Sequence, residues 1–305
     1  MSFAPRRLRS PFRRTIRHPY ADWGYDVTIA MAAITNPDDV IVCVSDRMIS
    51  WGDAFPAEDN AILKAIYLYD QWTCAFATNS LNYVLPIIEK TRERFKGQEP
   101  VKLQWNGPEA AASMGDAYTD FFHKEFAATY LSRFGYKTVE KFRQSARADL
   151  TPEHFTDLCV ELGRFDLQTS FLLFGHDRLK QPKLYHIDGP GHIIDCNALK
   201  IGVIGSGQSM AMASLRWPPP LTHLLEDTIY RLLEAKFASE TATGVGKTTT
   251  VALRNREGRV SLLSREEIEA IRKIWTEEVA DVPSPKSALD LLAESKAVTD
   301  VSGRS

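Results

Sequence analysis

Between residues 26 and 77 the chain offers four apolar runs of strand length, and this opening restricts its architecture more than any other feature. Residues 26–34 and 40–44 are parted by a polar turn at Asp38-Asp39, and residues 61–69 and 72–77 by Asp70-Gln71. Adjacent β-rich runs split by short polar turns read as hairpins, so the chain opens as an antiparallel meander. The apolar period then lengthens. Residues 81–95 and, beyond the break at Gly107-Pro108, residues 109–134 carry helical spacing. The more polar helical sequence of 136–163 extends this into a helical insertion of about 107–163, packed beside the main core.

Strands return at 169–174, 183–187 and 192–196, the last two joined by a turn at Gly189-Pro190-Gly191. Residues 201–204 form another, ending in Gly205-Ser206-Gly207 and a small-residue helix, 208–216, which Pro218-Pro219-Pro220 stops. A helix over 221–239, a strand over 248–254, a turn at Glu257-Gly258, a strand over 260–263 and a helix over 265–278 complete the pattern. Strands, helices, strands, helices, strands is the order of an α+β protein with two antiparallel sheets between helical layers, a four-layer αββα sandwich. It occupies residues 26–280, with a flexible tail at 281–305.

A chain of 305 residues, 44% hydrophobic, buries enough surface for one large domain. Its formal charge of −2 hides an asymmetry: Arg6, Arg7, Arg9, Arg13, Arg14 and Arg17 crowd the first 25 residues. Such an arm reads as a flexible basic extension or propeptide. Contact with nucleic acid or an acidic surface is a rival use, recognisable by strong salt dependence, and is not the expected one. No apolar stretch approaches the roughly 18 residues of a membrane span, and the chain reads as cytoplasmic.

Cys43, Cys74, Cys159 and Cys196 have no metal spacing and read as free thiols, mostly buried. The seven histidines form no metal-binding pair, although His186 and His192 lie where a hairpin brings two strands face to face. No metal or cofactor is expected. Gly244-Val245-Gly246-Lys247-Thr248-Thr249 imitates the end of a phosphate-binding loop. Thr241 stands where that motif needs its first glycine, and the segment follows a helix and enters a strand, the reverse of the required context.

Thr28-Ile29-Ala30-Met31-Ala32-Ala33-Ile34, then Val42-Cys43-Val44-Ser45-Asp46-Arg47, then Lys64, resembles the opening of proteasome β-subunits and their bacterial relatives among the N-terminal-nucleophile (Ntn) hydrolases. Ile204-Gly205-Ser206-Gly207 and Glu240-Thr241-Ala242-Thr243-Gly244 resemble two later motifs of that family, over about 26–95 and 165–265 in all. The resemblance implies that Thr28 is a nucleophile once its α-amino group is free. It implies that Asp46 holds Lys64, and that Ser206, Glu240 and Thr243 fix the amine and a water.

A free α-amine, with an ordinary pKa of about 7.7–8, is a suitable base for the hydroxyl of the same residue. A lysine ammonium beside it lowers that value further. Peptide or another amide is the implied substrate. A homo-oligomeric ring is the implied assembly, with room for an unfoldase partner.

Two positions depart from the family. Val27 stands where self-processing members carry glycine, and Thr78-Asn79 replaces the paired glycines that line the cleft and supply an oxyanion donor. The Thr78 N–H remains available for that role. A non-catalytic, proteasome-like scaffold subunit with an unprocessed N-terminus is therefore the alternative reading.

Overall fold

The computed structural model describes residues 28–48, 63–97, 105–215, 223–242, 245–278 and 286–302. The basic arm, Val27 and Thr243 lie outside the described residues. Among the described residues ten strands form two antiparallel sheets. In the first, the order is β10 (Val260–Leu262), β9 (Thr249–Arg254), β2 (Ile41–Asp46), β1 (Ala30–Ile34) and β8 (Ile201–Ile204). In the second it is β3 (Ala65–Tyr69), β4 (Trp72–Thr78), β5 (Thr169–His176), β6 (Pro182–Asp188) and β7 (His192–Asp195).

Alternation along the strands decides what each face meets. Ala30, Ala32 and Ile34 on β1 join Cys43, Ala75, Ala77, Leu172 and Phe174 in one buried cluster drawn from both sheets. The intervening Met31 and Ala33 join Val42, Val44 and Val251 in a second cluster. That cluster also takes side chains from α5 (Gln208–Ser214), α6 (Leu225–Ser239), α7 (Arg265–Glu278), α8 (Lys286–Ala293) and α9 (Lys296–Ser302). The outer side of the second sheet, with Trp72, Phe76, Phe171 and Leu173, packs on α1 (Leu81–Lys96) and α2 (Gly107–Phe126). Because β1 and β2 are buried on both faces, their residues are apolar almost without interruption.

Helix starts follow local chemistry. Asn106 accepts from the Glu109 N–H at the head of α2, and Thr138 and Thr151 do the same for α3 (Val139–Asp149) and α4 (Pro152–Arg164). Ser264 and Glu267 form a reciprocal capping box on α7.

Several expectations need correction. The helix expected over 109–134 is α-helical only to Phe126 and continues as a π turn over Ala127–Leu131. Since α2 packs on the second sheet, the separate helical unit begins near residue 126, where Phe126, Tyr130, Phe142 and Leu158 share their own cluster with α3 and α4. Within the tail, residues 286–302 are not loose. Ala288, Leu292, Val298 and Val301 are buried in the cluster that covers the first sheet. His186 and His192 do not face each other, because the register pairs His186 with Ile194 and His192 with Asp188. Cys43, Cys74 and Cys196 are buried and Cys159 is exposed.

Candidate active site

Strand pairing in the first sheet begins only at Ala30, although the sequence pattern runs the strand from residue 26. Just before Ala30 the ladder with β2 gives way to a side-chain partner, because the Asp46 carboxylate takes the Ile29 N–H. The Ile29 N–H donates to Asp46 Oδ1 (3.1 Å), and the Ile29 carbonyl accepts from the Asp46 N–H (3.2 Å). The Thr28 carbonyl accepts from the Gly207 N–H (3.4 Å). Gly205 has a φ of +98°, and a Cβ there would lie 2.1 Å from the Thr28 oxygen. The turn after β8 therefore needs glycine for both its backbone angle and its closeness to Thr28.

Asp46 closes β2 with no exposed surface. Its Oδ1 accepts from Thr28 Oγ1 (2.8 Å) and Lys64 Nζ (2.7 Å) as well as from Ile29, and its Oδ2 accepts from the Gly246 N–H (3.3 Å). Lys64 stands just ahead of β3 and also donates to Thr28 Oγ1. The hydroxyl thus donates a hydrogen bond to the Asp46 carboxylate and accepts one from the Lys64 ammonium. Four donors around one buried carboxylate offset much of what its removal from water costs. Thr28, Asp46 and Lys64, which lie far apart in sequence, meet as one buried cluster.

The other expected residues are distributed around this cluster. Ser206 lies on the turn whose flanking glycines touch Thr28, with its own side chain exposed. Glu240, just past the end of α6, directs its carboxylate to Arg272 (2.6 and 3.0 Å) and to Lys236. Thr78 ends β4, and its Oγ1 is engaged with Thr169 Oγ1 (2.8 Å) and the Ser80 backbone. The Asn79 amide donates to Gln168 Oε1, so this pair of side chains is tied toward the start of β5. Ala77, one residue earlier, lies beside Gly205, which brings the end of β4 to the Thr28 side of the molecule.

Three groups without any sequence expectation complete the surroundings. Lys236 on α6 is wholly buried and donates to the Gly246 carbonyl (2.8 Å) and to Glu240. Burial pushes its ammonium below the ordinary lysine range, while the nearby Glu240 and Asp46 carboxylates oppose that shift. Arg272 on α7 lies over the Phe237 ring and also donates to the Lys247 carbonyl (2.8 Å). The third is the Gly246 amide itself. The one legible sign was the Lys236/Glu240 spacing, a helical i, i+4 ion pair.

No protein-family model and no curated protein sequence matches the chain. Among solved structures it is similar to a mutant, marked Gly-1, of Anbu from Hyphomicrobium sp. strain MC1. The TM-score is 0.58 at 15% identity, over 84% of this chain and 99% of that one. At that identity the likeness is one of fold: the chain has the α+β, proteasome-like fold of Anbu. In this proteasome-like fold, Thr28 stands two residues ahead of β1, whose first residue, Ala30, pairs with Ser45 on β2 and Ile204 on β8. No helix among the described residues is long and apolar enough to cross a membrane.

Proposed function

We propose that the protein is a threonine-type amidohydrolase or peptidase whose nucleophile is Thr28, made competent when the Val27–Thr28 bond is cut. The observation that carries this reading is the placement of Thr28 Oγ1 between the Lys64 ammonium and the Asp46 carboxylate. In the processed chain the new α-amino group takes the Oγ1 proton as the oxygen attacks the amide carbonyl. The amine leaving group departs with a proton, an ester to Thr28 remains, and water hydrolyses it to restore the hydroxyl. The Thr78 N–H is the proposed oxyanion donor. Ser206, Glu240 and Thr243 are proposed to order the amine and water.

The finer architecture that accompanies this reading is a four-layer αββα sandwich, with α8 and α9 packed onto it. Peptide is the favoured substrate, in a homo-oligomeric ring in the cytoplasm that an unfoldase could serve. A second reading, a structural proteasome-like subunit, draws support from Val27 and from the Thr78 and Asn79 side chains, which are tied across to β5.

Intact mass and N-terminal sequencing of the purified protein separate the two. A mature chain beginning at Thr28, with amide hydrolysis lost in Thr28→Ala, supports the hydrolase. A chain that keeps residues 1–27 and hydrolyses nothing supports the subunit.

A further inference from the structure

The inward positions of α6 are apolar, with Leu225, Ile229, Leu232, Leu233 and Phe237 all buried, yet Lys236 is as deeply buried as they are. An ammonium in the interior carries a desolvation penalty that methionine would not. Neutralising Glu240 does not account for it, because the Arg272 guanidinium already gives that carboxylate two hydrogen bonds. What Lys236 supplies beyond that is a donor to the Gly246 carbonyl (2.8 Å). On the other side of the same residue, the Gly246 N–H points to Asp46 Oδ2 (3.3 Å). Gly246 is thus gripped at both of its peptide planes, by Lys236 on one side and Asp46 on the other. Arg272 holds the next carbonyl, that of Lys247.

We propose that Lys236 is a positioning residue for the Thr28 site. It fixes Gly246 so that the Gly246 N–H stays on Asp46, and through Asp46 it sets the orientation of Thr28 and Lys64. The catalytic consequence rests on reading Thr28 as a nucleophile, while the positioning does not. The groups that face Lys236 are Glu240 at the end of its own helix, Arg272 on α7 and Asp46 on β2. Its charge therefore lies in a cluster of two cations and two carboxylates, with Lys64 on the far side of Asp46.

The test uses the full chain with Lys236→Met and Lys236→Arg. Amide hydrogen exchange, resolved by NMR, is read at Gly246 and Ile29, whose N–H groups both donate to Asp46, and at Cys43 in the β1–β2 ladder. Loss of one charge-assisted hydrogen bond in Lys236→Met should speed exchange at Gly246 and Ile29 about tenfold and leave Cys43 within about twofold. In the processed protein kcat should fall about tenfold with KM nearly unchanged. Lys236→Arg, which keeps the charge and a donor, should restore both readouts.

Unchanged exchange at Gly246 in Lys236→Met overturns the proposal. So does a uniform rise across all three amides with no rescue by arginine, the mark of a purely structural role. Should Lys236→Met fail to fold, Lys236→Gln, whose shorter neutral side chain stops short of Gly246, is read in its place with the same expectations. If the wild-type protein hydrolyses no amide, the hydrolase reading fails, and the exchange data still decide whether Lys236 positions Asp46.

Discussion

Lys64 Nζ lies 2.7 Å from Asp46 Oδ1, with 4% of the lysine side chain and none of the aspartate side chain exposed. Surface ion pairs contribute little, but removing one partner of a buried pair leaves an uncompensated charge. Three further donors stay on Asp46, so the cost of Lys64→Met should fall near the low end of the usual range, about 3 kcal/mol. Urea unfolding of the variant against the wild type measures it, and a loss under about 1 kcal/mol would mean the pair is not buried as described.

Gly205→Ala should be more damaging than its small size suggests. The added carbon meets the Thr28 carbonyl oxygen at 2.1 Å, and the backbone there has a φ of +98°. Both effects act on the same turn, and together they should cost about 2–4 kcal/mol and displace Thr28. Thermal unfolding reports the first effect. Reactivity of processed Thr28 toward an amide-mimicking electrophile reports the second.

His176 predicts a pH dependence of stability. Burial holds its imidazole below the usual 6.5, although its Nε2 hydrogen-bonds the Asp39 carbonyl (2.8 Å). The unfolded chain therefore binds the proton first as pH falls below 6.5, and stability contributed by the neutral ring is lost through that window. Urea midpoints from pH 7.5 down to 5 should fall, and His176→Gln should flatten part of the slope. His186 is shifted the same way by burial and supplies a remaining share.

Leu292 distinguishes a packed C-terminus from a loose one. Its side chain has no exposed surface, so Leu292→Ala should cost about 2–5 kcal/mol, as core truncations do. A residue in a solvated tail would give no change. Chemical denaturation of the full-length variant is the measurement.

The sequence carried the strand and helix order because apolar period is a local property. Polar turns at Asp39 and Asp70, whose φ values of +54° and +48° let the chain reverse, mark hairpins that formed where expected. The helices α8 and α9 were invisible for the opposite reason. Each is shorter than an isolated helix needs to be stable, and they exist because α6 and β9 offer apolar surface to Ala288, Leu292 and Val298. In the site, Thr28, Asp46 and Lys64 were legible only as a set. The spacing of Lys236 to Glu240 hinted at an ion pair, but the burial of Lys236 was not legible, since a lysine on an amphipathic helix normally faces water. Its burial is decided by the residue 245–248 segment folding over it.

Asp46 receives its fourth donor from Gly246, 200 residues further along the chain. During synthesis from the N-terminus, Thr28 and Asp46 leave the ribosome long before β9 exists, and the carboxylate must wait for the greater part of the protein to be made. The cluster around Thr28 is therefore among the last things the chain completes. On the hydrolase reading proposed above, a cleavage that depends on the complete cluster follows folding, and a half-made chain carries no reactive threonine.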